Sequence, residues 1–404
     1  MPDISKRGAE AYSSPIRKLT PFADKAKQSG KKIFHLNIGQ PDIKTPKEAI
    51  QKMQSTPVDV LAYSPSKGYL SLRKKITEYY QRYNVALDAE EILISTGASE
   101  GIFFTFLSCM DEGDEVIIPE PLYANYIGFA EYARCKVVPI TSYIDNGFAM
   151  PTCEDFERKI TPRTKAIMLC NPGNPTGCLY SEEALREIAA MVQKHNLFLI
   201  VDEVYREFCY DNQQYFSALH LEGLENNVIV LDSVSKRYSA CGARIGMVVT
   251  RNKEVMRILT QFSEVRLSPP TFGQILTEYL VDTPQQYLDE VKEEYVKRRN
   301  LLFERLSKME DVVCYRPGGA FYSFVQLPID DCDRFCRWLL EEFSLDNKTV
   351  MLAPGSGFYA TEGLGKQEVR IAYVLNADDL NQAMDCLEAA LNTYPGRTEL
   401  KKAR

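Results

Sequence analysis

Histidine is scarce in this chain, with three in 404 residues (His35, His195 and His220), and these lie too far apart in sequence to form a spaced metal-ligand cluster. No metal site is therefore expected. Tryptophan occurs once, at position 338. Cysteine is not rare, but its eleven copies are scattered singly with no CxxC pair, as at Cys109, Cys135, Cys153, Cys170 and Cys178. In a chain this long they read as reduced thiols of a cytoplasmic protein rather than a disulfide framework. A basic excess is missing too: the net charge is −7, which argues against a nucleic-acid partner. No stretch approaches the ~18 uninterrupted apolar residues that span a membrane, so no membrane role is expected. The opening Met-Pro-Asp-Ile-Ser-Lys-Arg lacks the apolar core of a signal peptide.

What is present is a repeated alternation. Short runs rich in Ile and Val occur at 92–94, 116–118, 137–140, 166–169, 198–201, 228–231 and 245–249. They are apolar on successive residues, as strands covered on both faces should be. Helical patterns separate them, over 100–109, 124–133 and 181–195, the last opening on Ser181 with the spacing of a capping box. The pattern predicts an α/β fold: a large domain, 46–284, with a mainly parallel seven-stranded sheet flanked by helices. Beyond Pro284 come a long charged helix over 285–308, helices over 331–343 and 377–393, and a strand over 369–374. Residues 1–45 are too few for a domain and are expected to join 285–404 in a smaller α+β domain.

In open α/β sheets, ligands sit at the carboxyl ends of the strands. The chemically loaded residues fall at those ends. The first run leads into Ser95-Thr-Gly97-Ala98-Ser99, whose bare amides at a helix start suit a phosphate. Later runs lead to Tyr123, to Asn171-Pro-Gly-Asn174-Pro-Thr-Gly177, and to Asp202-Glu-Val-Tyr205. Asp202, a carboxylate at the tip of a buried strand, needs a cation. The sixth run ends at Ser233-Val-Ser235-Lys236, with Arg244 eight positions on. A lysine able to form a Schiff base, an aromatic plate, a carboxylate seeking a cation and a phosphate cradle match one cofactor, pyridoxal 5′-phosphate. On this reading Asp202 pairs with the ring nitrogen, Tyr205 and Asn174 bond the ring 3′-oxygen, and Tyr123 stacks. Ser233, Ser235, Arg244 and the Ala98 and Ser99 amides hold the phosphate.

These motifs in this order, with Leu36-Asn-Ile-Gly39-Gln-Pro-Asp42, Pro317-Gly-Gly-Ala-Phe-Tyr322 and Glu368-Val-Arg370-Ile, resemble the class I/II aminotransferases over essentially the whole chain. The resemblance implies transamination from an L-amino acid to a 2-oxo acid, with 2-oxoglutarate the expected acceptor, by a ping-pong route through Lys236. It makes Arg370 the partner of the substrate α-carboxylate and Gly39 a backbone approach to that group. It makes Tyr63 a tyrosine that reaches the partner subunit's phosphate in a homodimer with shared active sites. Aspartate, aromatic and alanine-like donors all stay open. Some aspartate-specific relatives carry lysine where this chain has Ser99, and Arg266 is either a reader of a distal carboxylate or half of an ion pair. A C–S β-lyase of the same fold is the alternative. A non-catalytic cofactor-sensing regulator would need an N-terminal DNA-binding domain, for which residues 1–32 give little room.

Overall fold

A computed structural model describes residues 2–399. In chain order its strands are β1 (Lys32–His35), β2 (Ile92–Ser95), β3 (Glu115–Glu120), β4 (Lys136–Thr141), β5 (Thr164–Cys170), β6 (Phe198–Asp202) and β7 (Val228–Ser233), followed by β8 (Gly246–Val249). Then come β9 (Val313–Cys314), β10 (Tyr322–Gln326), β11 (Lys348–Met351), β12 (Ala353–Pro354) and β13 (Glu368–Ala372). All seven expected apolar runs are strands of one sheet, in the order β2-β8-β7-β6-β5-β3-β4. The fold is α/β. Strands β3 to β7 pair in parallel, while β8 runs antiparallel to both of its neighbours, β2 and β7.

Successive residues of these strands enter opposite hydrophobic clusters. Ile92, Ile94, Ile167, Leu169, Leu199, Val201, Val228 and Val230 face one side. Leu93, Ala166, Met168, Ile200, Ile229, Leu231 and Val248 face the other. Helices cover both, which is why the runs are apolar without alternation. The helix Glu182–His195 is capped by Ser181, whose hydroxyl accepts from the Ala184 amide. The expected capping box is only half formed, because the third helical position is an alanine with no side chain to return the bond.

The later part of the chain builds a four-stranded sheet, β12-β13-β10-β9, under the helices Gln285–Ser307, Cys332–Glu341 and Ala377–Thr393. The N-terminal segment joins it: β1 pairs in parallel with β11, Lys32 opposite Lys348. Phe34 and Leu36 share a core with Tyr295, Phe335, Val350 and Ile371. Among the described residues, no helix is long and apolar enough to cross a membrane.

Candidate active site

Because β2, β3, β5, β6 and β7 point the same way, their carboxyl ends lie along one edge of the sheet. β8 starts at that edge, so Arg244, just before it, arrives there as well. A cavity of about 560 Å³ opens at this edge, lined by Gly39, Ala98, Ser99, Tyr123, Asn174, Asp202, Tyr205, Ser233, Ser235, Lys236, Arg244 and Arg370 among others. Of the residues singled out in the sequence, Gly97, Tyr63 and Arg266 are not part of the lining, and Tyr63 is 79% exposed.

The phosphate-type end is built around the start of the helix Gly97–Cys109. Gly97 has φ +74°, and a Cβ there would run into the Arg244 guanidinium. Gly246 is likewise seated against the backbone of Gly97 and Ala98. These two glycines let the guanidinium and the helix amides converge on one spot. Arg244 donates only to backbone carbonyls, Cys241 O at 3.1 Å and Thr96 O at 3.4 Å. Among the described residues it has no acidic partner. Ser233 caps the short helix Val234–Arg237 and donates to Ile245 O at 2.7 Å, while its oxygen lies 2.8 Å from Ser235 Oγ. Ser235 is thus the freer hydroxyl of the two.

Asp202 is 5% exposed at the end of β6. Its carboxylate accepts from Tyr126 Oη at 2.7 Å and from the Val204 amide at 3.2 Å, both neutral donors. Burial raises its pKa from 3.8 to about 6, against the lowering effect of those two donors. Nearby, Asp232 is held by Arg237 and, at 3.2 Å, by Arg206, which also bridges to Glu203 at 2.9 Å. This buried ionic cluster underlies the residues on either side of Lys236 and Asp202. Lys236 Nζ donates to Gly39 O at 2.7 Å and lies 6.0 Å from the centre of the Phe321 ring.

Tyr205 and Tyr322 share a hydroxyl–hydroxyl bond of 2.8 Å. Burial raises the Tyr205 pKa well above its ordinary value. Tyr123 packs edge-on against Tyr126, its hydroxyl accepting from Asn125 Nδ2 at 2.8 Å, and burial lifts its pKa to about 12. Arg370, 2% exposed, donates to Asn174 Oδ1 at 2.9 Å and to Asn37 O at 2.6 Å. Its Nε and Asn37 Oδ1 are buried without a partner. Among the described residues no acid faces this arginine, and burial lowers its pKa. A Cβ on Gly39 would overlap the Tyr322 ring.

Sequence reasoning missed Tyr322, Tyr126, Asn37 and Arg17, all at or next to this cavity. Tyr126 stands three positions after Tyr123 in the helix Asn125–Ala133, a spacing that could have flagged it. Tyr322 closes the Pro-Gly-Gly-Ala-Phe-Tyr motif. Asn37 lies inside the Leu36-Asn-Ile-Gly39 motif and Arg17 inside Ser13-Ser-Pro-Ile-Arg-Lys-Leu19, but neither residue stands out from its neighbours. Arg266 resolves to the second of its two readings. It is bonded to Glu100 Oε2 at 2.6 Å and to Ser66 O at 2.9 Å, outside the cavity lining.

A buried carboxylate with only neutral donors, a buried arginine without an acid, a second arginine at a helix start and a lysine between them form a site for a ligand with one cation and two anions. The donor set fits pyridoxal phosphate carrying an amino acid. An α/β enzyme with a lysine in a cavity at the carboxyl edge of its sheet is the class that fold and site define. The model of the family described as aminotransferase class I and II matches residues 31–387, and the chain belongs to that family. It is a pyridoxal-phosphate-dependent transaminase. It is 30% identical over 395 residues to the aspartate aminotransferase of Pyrococcus horikoshii, covering 96% of this chain and 97% of that one. It is 31% identical to aromatic-amino-acid aminotransferase 2 of Thermococcus litoralis, over 96% and 98% of the two chains. The solved alanine aminotransferase of Pyrococcus furiosus superposes with a TM-score of 0.87 at 28% identity, over 96% of this chain and 99% of that one.

Proposed function

We propose that the protein moves the amino group of an L-amino acid, aspartate, aromatic or alanine-like, to a 2-oxo acid such as 2-oxoglutarate, in two half-reactions that share Lys236. The observation that carries this is Arg370: a buried arginine facing a cavity that also holds Lys236 and Asp202, with no acidic partner among the described residues. Bound there, pyridoxal phosphate supplies an electrophilic carbonyl and an electron sink for charge developing at Cα. Arg370 receives the α-carboxylate through two parallel N–H bonds and so fixes the orientation of the Cα–H bond. Lys236 would serve as the base that takes that proton and as the acid that hands it back. Asp202 would hold a positive charge on the ring nitrogen. Tyr205 and Asn174 would bond the ring oxygen, Tyr123 would cover the ring, and Ser235, Arg244 and the Ala98 and Ser99 amides would hold the phosphate, with Ser233 bracing Ser235.

The same reading takes 46–284 as a large domain and 1–45 with 285–404 as a small one, supported by the β1–β11 pairing. It takes the protein as a homodimer. Tyr63, Val60, Leu61, Val265 and Phe272 are all exposed, and their two segments are joined by the Arg266–Ser66 and Gln274–Ser64 bonds. Such a patch marks an interface, across which Tyr63 would reach the phosphate of the other copy. Eleven free thiols suit a reducing, cytoplasmic setting.

The test is to add amino acids one at a time to the loaded enzyme. The visible cofactor band should bleach with a true donor and return with 2-oxoglutarate, and the donor's oxo acid should appear in equal amount. Pyruvate release from cystathionine without any acceptor, and no reversible bleaching, would replace this reading with C–S lyase chemistry.

A further inference from the structure

The cavity is lined by four cationic side chains, Arg17, Lys236, Arg244 and Arg370, but by only one acid, Asp202. Three of the cations have partners in the chemistry above: the covalent post, the phosphate and the α-carboxylate. Arg17 has none. We propose that Arg17 receives the distal carboxylate of a dicarboxylic substrate, which makes acidic amino acids and their oxo acids the substrate class of this enzyme. The proposal rests on the transaminase reading of the same site.

Arg17 opens the short 3₁₀ turn Arg17–Leu19. Among the described residues its guanidinium has no hydrogen bond and no ion pair. The contrast with its neighbour is direct, since Lys18 is paired with Asp333 at 2.5 Å. The segment carrying Arg17 is tied down beside Arg370. Pro15 sits where a side chain on Gly357 would be. Ile16 packs on the cluster that contains Phe358, and the Arg370 guanidinium lies 4.9 Å from the centre of that same Phe358 ring. Arg17 therefore enters from the substrate side rather than from the phosphate end. Ser14 and Gln40 line the cavity with it, which adds polar surface around the guanidinium. The other basic candidate, Arg266, is occupied by Glu100.

A guanidinium at the mouth of a cavity costs little while water solvates it. A second carboxylate entering with the substrate would close over it and form a charge-assisted, two-pronged pair. A neutral side chain would leave it in water, so discrimination comes from what the acidic substrate gains.

The experiment uses the loaded enzyme and the variants Arg17→Gln and Arg17→Lys. Two readouts are taken: the ratio of kcat/KM for aspartate to that for phenylalanine, and the dissociation constant of maleate by calorimetry. The expected result for Arg17→Gln is a fall of about tenfold or more in the aspartate-to-phenylalanine ratio, carried by KM, and a similar rise in the maleate constant. Arg17→Lys should recover part of both, because it keeps the charge without the fork. Parallel loss for aspartate and phenylalanine, or an unmoved maleate constant, would overturn the proposal. If the unaltered enzyme transaminates no amino acid, the broader reading fails instead. Maleate affinity then still decides, on its own, whether Arg17 binds a carboxylate.

Discussion

Replacing Asp202 by asparagine should make the protein more stable and much less active, and the structure sets the scale of the first effect. Burial moves this carboxyl from 3.8 to about 6. That shift corresponds to about 3 kcal/mol between the charged and protonated forms. The direction follows from linkage. Between pH 3.8 and about 6 the native cofactor-free protein holds a proton that the unfolded chain has lost, so stability falls as pH rises through that window. Above it the whole cost remains. Asparagine has no charge to bury. Its oxygen can keep the Val204 amide, and the Tyr126 proton can turn to Cys170, which lies within hydrogen-bonding range. Some of the gain is lost in that rearrangement, so about 1 to 3 kcal/mol should remain at pH 8. For a chain of this size that is a rise in melting temperature of a few degrees at most, about 3 °C. The difference should shrink as pH falls from 8 to 5, because the aspartate itself then becomes protonated. With cofactor bound, kcat should fall by at least about 100-fold, since no fixed charge then holds the ring nitrogen positive. Melting curves of the cofactor-free proteins across pH, with kcat of the loaded ones, check both halves. A variant that melts lower than the parent at pH 8, or that keeps its kcat, would refute the reasoning.

Other substitutions probe the rest of the site. Lys236→Ala should lower turnover by at least about 1,000-fold while cofactor remains bound without a covalent link; borohydride should no longer fix it to the chain. Arg370→Lys should raise KM about 10- to 100-fold for every amino acid, neutral or acidic, because the two-pronged grip on the α-carboxylate is lost. Steady-state kinetics on alanine and aspartate would show it. Gly97→Ala adds a Cβ at φ +74° that displaces the Arg244 guanidinium. Cofactor affinity should drop about tenfold or more in a spectral titration, with the fold unchanged by circular dichroism.

Much of this molecule is legible in the order of its residues, for a physical reason. A strand buried on both faces must be apolar at every position, so Ile92–Ile94 or Phe198–Val201 announce themselves. Residues that line the cavity stand one to five positions beyond those runs, as Asp202 and Lys236 do, so strand and cavity are read together. What stays hidden depends on contacts between distant segments. The antiparallel course of β8 and its place between β2 and β7 are properties of the sheet, not of Gly246–Val249. Tyr322 meets Tyr205 across 117 residues, and Arg370 meets Asn37 across 333. No local pattern encodes either meeting. Arg266 had two readings because the deciding partner, Glu100, lies 166 residues away.

The position of β8 also governs the order in which this site can come into being. Among the described residues β2, which leads into the Gly97 turn, has β8 as its only neighbour in the sheet. During synthesis, residues 92–95 leave the ribosome more than 150 residues ahead of the strand that will pair with them. Until then, their backbone amides and carbonyls have no ladder. The sheet can zip from β3 to β7 as each strand emerges, but its far edge closes only when Gly246–Val249 slides into the gap. That closure also delivers Arg244. The cavity is therefore complete only when the sheet is, because a nascent chain that ends before Arg244 holds Lys236 without the second arginine of its lining.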